Sequence, residues 1–267
     1  MNHTNIVGSL QTHVERAQRL AYLGHPYILG ETNSIGVQGR DGESNVFGDT
    51  LWLVDYSLWA AANVCTLYFS LNIYRSHPSW EPNWANIPKN IKRLHFHQGL
   101  NYRYGTWQPI QTKKQGPATR APYYGHIMVA SAIGFSDNAR VVNIPLRRDT
   151  ESAYAIYDRD NTNDNNTLTK LVVTNLQEFN NTMNSVRPTR NYSFRVPKQY
   201  TQAKVDRLTA PGSDMHSNIT FGGVSYDHDL KQGRPVVVDP KKEIISVQHG
   251  VLTVTLPDSS AVLLSLK

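Results

Sequence analysis

The chain has 267 residues, enough to bury a full core or two medium domains. Its net charge of +6 comes from 27 Lys and Arg dispersed singly or in doublets such as Lys113-Lys114, Arg147-Arg148 and Lys241-Lys242, which excludes the clustered surface of a nucleic-acid binder. The single cysteine, Cys65, excludes an intrachain disulfide and a cysteine-type zinc site, and the absence of any run of about 18 apolar residues excludes a spanning helix.

From Ile6 to Leu23 the apolar positions Ile6, Val7, Leu10, Val14, Ala17, Leu20 and Ala21 recur at three-and-four spacing, which predicts an amphipathic helix ended by Gly24. His25–Glu31 reads as a short buried strand, Thr32–Ser44 as a Gly-rich polar loop, and Phe47–Ala62 as a second helix. A strand at Arg93–His97 follows, then a loop with Tyr102, Tyr104 and Trp107, then a third helix at Tyr123–Gly134. This order predicts α/β architecture over residues 1–135, arranged as the C-terminal part of a (β/α)8 barrel.

From residue 136 the texture becomes all-β. Short runs at Ala139–Ile144, Ser152–Tyr157, Thr169–Thr174, Asn191–Val196, Tyr200–Leu208, Ile219–Phe221, Pro235–Val238 and Glu243–Ser246 predict a β-sandwich over 136–267. The last two runs, Gly250–Leu256 and Ser260–Leu266, flank Pro257-Asp258-Ser259 as a hairpin would.

Glu31 ends an apolar strand and opens a Gly-rich loop, and in a barrel that end of the strand is the catalytic face. Asn33 and Ser34 offer partners for sugar hydroxyls, and Tyr102, Tyr104, Trp107, Tyr123 and Tyr124 offer rings for apolar sugar faces. A lone strand-end Glu can equally cap or pair locally. His95 and His97 alternate onto one strand face as a metal pair would, yet no third ligand stands at suggestive spacing, so no metal is expected.

Three motifs in order, Gly30-Glu31-Thr32-Asn33-Ser34, Phe47-Gly48-Asp49-Thr50-Leu51-Trp52 with Asp55-Tyr56, and His95-Phe96-His97-Gln98-Gly99-Leu100-Asn101-Tyr102-Arg103-Tyr104, resemble glycoside hydrolase family 79. Ala121-Pro122-Tyr123-Tyr124-Gly125 continues the resemblance, which covers roughly residues 1–145. It implies a retaining β-glucuronidase that uses no metal or organic cofactor. Glu31 would be its nucleophile, and Asn33, Ser34, His97, Gln98, Tyr102, Tyr104 and Tyr123 would bind substrate. The segment Asn101–Gly105 would receive the glucuronide carboxylate, with Tyr104 favoured; Arg103, if this segment alternates as a strand, points away from Tyr102 and Tyr104. Retaining chemistry sets two carboxyl groups about 5–5.5 Å apart. The family's acid/base is a Glu after an Asn on an earlier strand, and Glu15, mid-helix, does not fit. The chain is therefore expected to begin late in the barrel and to lack its acid/base.

Residues 64–89 interrupt the family pattern: removing them joins Ala60-Ala61-Ala62-Asn63 to Asn90-Ile91-Lys92-Arg93. Two readings stay open, a retained intron, since Val64-Cys65 can be GTATGT, Ala85-Asn86 GCTAAC and Lys89 can end in AG, or a variable surface loop. Five glycosylation triplets, at Asn2, Asn165, Asn180, Asn191 and Asn218, point to a secreted parent protein, although the chain opens on no signal-peptide pattern. The expected partner is a glucuronic-acid-containing glycan, with no nucleic acid and no membrane. The other readings are a catalytically inactive carbohydrate-binding or structural remnant, and a sandwich-type carbohydrate-binding module, which leaves the first three motifs unexplained.

Overall fold

The computed structural model describes residues 1–25, 27–63, 91–134, 139–159 and 166–267. The insertion at 64–89 lies outside them. Helix α1 (His3–Arg19) starts at Asn2, whose side chain accepts a hydrogen bond from the Asn5 backbone N–H, and buries the stripe Ile6, Leu10, Val14 and Ala17. It stops earlier than its apolar spacing predicts. A 3-10 turn at Ala21–Leu23 completes the segment, leaving Leu20 and Leu23 exposed.

Strand β1 (Tyr27–Thr32) runs parallel to β2 (Ile91–Phe96), with Leu29 opposite Leu94. The expectation of a buried strand is corrected here: only Leu29 of β1 is buried, and Ile28 is 45% exposed. The reason is pairing, since among the described residues β1 has a neighbour on one side alone.

Helix α2 (Phe47–Asn63) is buried almost all round and is the pivot of the fold. It packs on α1, on α3 (Pro122–Ile133) and on a large sheet. Fully burying each of Leu51, Val54 and Leu58 contributes about 1.5–3 kcal/mol relative to exposure. Helices α2 and α3 approach closely at Gly125, where an added Cβ would sit 2.9 Å from the Thr50 carbonyl oxygen and 3.1 Å from Leu53. Gly125→Ala is expected to destabilise the fold by about 1–3 kcal/mol, because the obstructing atom is backbone and must be displaced. Chemical denaturation with an unchanged m-value checks it.

The large sheet comprises β5 (Arg140–Ile144), β6 (Glu151–Arg159), β7 (Asn166–Asn175), β9 (Gln202–Thr209), β10 (Thr220–Phe221), β11 (Val224–Ser225), β12 (Val236–Val237), β13 (Glu243–Ser246) and β15 (Ser260–Leu266). Its order is β12-β11-β10-β9-β15-β7-β6-β5, with β13 also on β9. The pair β8 (Thr189–Arg195) and β14 (Val251–Pro257) forms a second layer. Both faces of the large sheet are buried. Tyr154, Ile156, Val172, Ala261 and Leu263 point to the helices, while Ala153, Ala155, Leu171, Val262 and Leu264 pack on Tyr192, Phe194, Leu252 and Val254 of the second layer. Ala261-Val262-Leu263-Leu264 is accordingly an unbroken apolar run.

The predicted terminal hairpin is also corrected. Strand β14 pairs with β8, whereas β15 pairs with β7 and β9, so Pro257-Asp258-Ser259 carries the chain from one sheet to the other. The arch is fixed from outside: Arg187 donates to the Asp258 and Ser259 carbonyls at 2.6 Å each, and Asn175 donates to the Asp258 carboxylate at 2.9 Å. A further short pair, β3 (Trp107–Gln108) and β4 (Ala118–Thr119), lies between β2 and α3, and a one-turn helix, α4 (His228–Lys231), follows β11. No helix of the described residues is long and apolar enough to cross a membrane.

Candidate active site

Glu31 stands at the C-terminal end of β1, and its Oε1 lies 2.8 Å from Nδ1 of His97, just past the end of β2. The parallel register brings the two strand ends together, since Thr32 pairs with Phe96 and the His97 N–H donates to the Thr32 carbonyl at 3.1 Å. With its proton on Nδ1 the imidazole donates to the Glu31 carboxylate. His97 thus serves as the partner of Glu31.

Asn33 bridges the two strand ends: its Nδ2 donates to the His97 carbonyl at 3.2 Å and its Oδ1 accepts from the Ser34 N–H at 2.9 Å. The loop after β1 is clamped to the loop after β2 by the Tyr104 hydroxyl, which donates to the Val37 carbonyl at 2.7 Å and lies 3.1 Å from His97 Nδ1. Burial, then Tyr102 and the charge of Glu31, push the Tyr104 hydroxyl above its ordinary range, so it keeps its proton as a donor. Tyr104 is buried, whereas Tyr102 is half-buried and packs edge-on to both His97 at 5.1 Å and Tyr104 at 5.7 Å. The Tyr102 ring lies over Gly99, where a Cβ would meet it at 2.7 Å.

Tyr102-Arg103-Tyr104 lies in a loop, as predicted, built of two turns with Asn101 in the left-handed region at φ 66°, so the alternation that would have turned Arg103 away from the two tyrosines does not apply. Arg103 pairs with Asp41 at 3.2 Å on the far loop. The His95 side chain lies outside the described residues. Gln98 uses its amide oxygen to hold Thr106, accepting from its N–H at 2.7 Å and its hydroxyl at 3.1 Å.

Beneath the strand ends lies an apolar floor that sequence reasoning did not single out. Thr32 shares a 2.7 Å hydrogen bond with the Tyr56 hydroxyl, and Trp52, Tyr56, Phe96 and His126 pack as a ring cluster. Burial lowers the His126 imidazole to about 4, which keeps it neutral. In the first turn of α2, burial pushes the Asp49 carboxyl up to about 8, and the Ser34 hydroxyl beside it offsets this only in part. The signal for both was a charged or titratable residue inside an apolar helical run. Tyr123 belongs to another group, edge-on to Trp107 at 6.0 Å, Tyr124 at 6.3 Å and Tyr226 at 5.6 Å.

The family model described as the glycosyl hydrolase family 79 C-terminal beta domain matches residues 153–263. A β-glucuronidase of Aspergillus niger is 39% identical over 284 aligned residues, an alignment that takes in 100% of this chain and 47% of that protein. The chain belongs to glycoside hydrolase family 79. A β-glucuronidase of Neurospora crassa is 34% identical over 270 residues, covering 88% of this family 79 chain and 43% of its own. The chain thus spans about half the length of the curated relatives it matches. Among solved structures, a 4-O-α-L-rhamnosyl-β-D-glucuronidase from Fusarium oxysporum, in a Rha-GlcA complex, superposes with a TM-score of 0.74 at 21% identity, over 100% of this chain and 49% of that one. At that identity the likeness establishes a shared fold. The family assignment agrees with the mostly β architecture of the described residues and leaves the roles of Glu31 and its neighbours to be argued from geometry.

Proposed function

We propose that this family 79 chain carries the nucleophile side of a retaining β-glucuronidase site, acting on β-glucuronides of glycans or glycoproteins, with Glu31 as the nucleophile. The observation that carries the reading is the Glu31 carboxylate at the C-terminal end of a parallel strand, held at 2.8 Å by His97. A fixed carboxylate on that face can attack the anomeric carbon, while a second carboxyl group protonates the leaving oxygen and later activates water. Upstream of Glu31 the only other acidic residue is Glu15, in the middle of α1, which does not suit that second role. The relatives named β-glucuronidase support the substrate class. In this reading β1 and β2 belong to a (β/α)8 barrel, which is supported by their parallel pairing, the alternation of helix and strand and the exposed edge of β1 at Ile28. Tyr102 would face the sugar carboxylate through its hydroxyl, since the backbone N–H groups of Asn101, Tyr102, Arg103 and Gly105 donate within the protein, and Tyr104 would hold the loop that presents it.

The deciding experiment uses a dinitrophenyl β-D-glucuronide, whose phenolate leaves without protonation. Attack by Glu31 forms an ester bond to the anomeric carbon as the bond to the phenolate oxygen breaks. The expected result is a stoichiometric release of dinitrophenolate with one glucuronyl residue on the peptide containing Glu31, located by mass spectrometry. A folded chain that releases phenolate with the adduct on another residue, or that forms none, overturns the assignment.

A further inference from the structure

The glycosylation triplets are the sequence feature that the Glu31 site leaves unused, and the fold treats them unequally. Asn165 lies outside the described residues, whereas Asn2, Asn180, Asn191 and Asn218 lie within them. Attachment of a glycan to such an asparagine precedes completed folding, so the fold acts as a filter. A bulky, hydrated oligosaccharide is compatible with the native state only where the amide can stay outside the surface.

Asn180 is half-buried and its amide is committed at both ends: Nδ2 donates to Glu178 at 2.7 Å, and Oδ1 accepts from the Ser213 hydroxyl at 2.5 Å. In Asn191, on β8, Oδ1 accepts from the Thr255 hydroxyl of β14 at 2.7 Å, and in Asn2 it caps α1 at 3.0 Å. Each of these bonds holds the amide in one orientation against the protein.

Asn218 differs from all three. It is exposed, and neither its side chain nor that of Thr220 makes a hydrogen bond among the described residues. Its φ of 57° lies in the left-handed region, which asparagine enters more readily than most residues. The segment that presents it is fixed from both sides. The Ser213 and Met215 carbonyls accept from the N–H groups of Gly48 and Phe47 at 2.7 and 2.8 Å, while Ile219 and Phe221 are buried in the core. Ile219 thus anchors the triplet by its middle residue, with Asn218 outside and Thr220 at the start of β10.

We infer that Asn218, and not Asn180, carries an N-linked oligosaccharide. The donor is an oligosaccharide on a lipid diphosphate. Asn218 Nδ2 forms its bond to the anomeric carbon of the first N-acetylhexosamine as that carbon's bond to the diphosphate oxygen breaks. The lipid diphosphate leaves with the electron pair, and the amide nitrogen gives up one proton. The inference is independent of the role of Glu31 and carries the chain through the compartment that holds this donor.

The test expresses the full chain in yeast behind a cleavable export leader. Glycans are removed from the soluble secreted protein by a peptide amidase in heavy-oxygen water, which leaves a labelled aspartate at each occupied position for mass spectrometry. Label is expected at Asn218 in most molecules and at Asn180 in a small minority. Thr220→Val keeps Asn218 and removes only the hydroxyl that the transfer requires, so it should abolish the label at Asn218 and the corresponding gel-mobility shift. Asn218→Gln should lose the same shift. Absence of label at Asn218, equal label at Asn180, or label at Asn218 that survives Thr220→Val overturns the inference. If export is poor, the Asn218 peptide is read from the membrane-enclosed pool, where absence of label overturns it equally.

Discussion

Asp55→Ala is expected to lower the thermal unfolding midpoint by on the order of 10 °C, from a loss of about 3–5 kcal/mol spread over a chain of this size. Asp55 sits fully buried in α2 and is the meeting point of three elements. His3, at the start of α1, places Nδ1 2.8 and 3.1 Å from its two carboxylate oxygens, and the Tyr154 hydroxyl of β6 donates to the same carboxylate and, at 3.2 Å, to the Asp55 carbonyl. Removing the carboxylate leaves the His3 imidazole without its acceptor and the Tyr154 phenol with only its longer bond to the residue 55 carbonyl, at the joint between helices and sheet. Burial alone would lower the His3 imidazole, but the Asp55 hydrogen bond and charge, with Asp149, outweigh it and raise the net value.

The pH dependence follows from that direction. A histidine raised on folding adds stability that is complete below its unfolded value of about 6.5 and is lost as pH rises through the folded value. Urea midpoints taken across that window should therefore fall on the alkaline side in the parent and flatten in His3→Gln. Superimposable profiles for the two would remove His3 from the account.

That three-way contact was not legible in the sequence, for a physical reason. Its members are separated by 52 and 99 positions, and nothing in local spacing says that an Asp inside an apolar helix will meet the first turn of one helix and the middle of a strand. What was legible is whatever depends on local periodicity. Phe47–Asn63 announces a buried helix through its near-continuous apolar run, and Glu243–Ser246 and Ser260–Leu266 form strands with the predicted ends. Properties set by neighbours were misread: β1 is apolar enough to be buried, yet its burial depends on strands beside it. Pro257-Asp258-Ser259 has the residues of a hairpin turn, and only the pairing of Val251–Pro257 with Thr189–Arg195 makes it an arch.

The site divides in the same way. Glu31, Asn33, Ser34, His97, Gln98, Tyr102 and Tyr104 come from two segments that the parallel pair brings together, so a motif reading could gather them. It could not separate a side chain that faces a ligand from one that holds the loop. Asn33, Gln98 and Tyr104 spend hydrogen bonds on the frame, and Tyr123 stands edge-on to Trp107 in a separate group of rings.

Glu31→Ala is expected to reduce glucuronyl transfer from an activated aryl glucuronide by about 10⁴-fold or more, since a covalent mechanism without its nucleophile retains only binding and electrostatic assistance. The carboxylate is 71% exposed on its side chain and its loss opens space rather than the core, so the fold should survive. That space makes the role testable by stereochemistry. Azide added to Glu31→Ala would enter from the side the carboxylate occupied, form its bond to the anomeric carbon as the phenolate leaves, and give the α-glucuronyl azide. His97, which faces the vacated position from 2.8 Å, can donate to the incoming anion. Proton magnetic resonance at the anomeric position reads the outcome directly. A β-azide would place the attacking group on the opposite face and assign the nucleophile elsewhere, and a variant as active as the parent without azide would leave Glu31 a structural partner of His97.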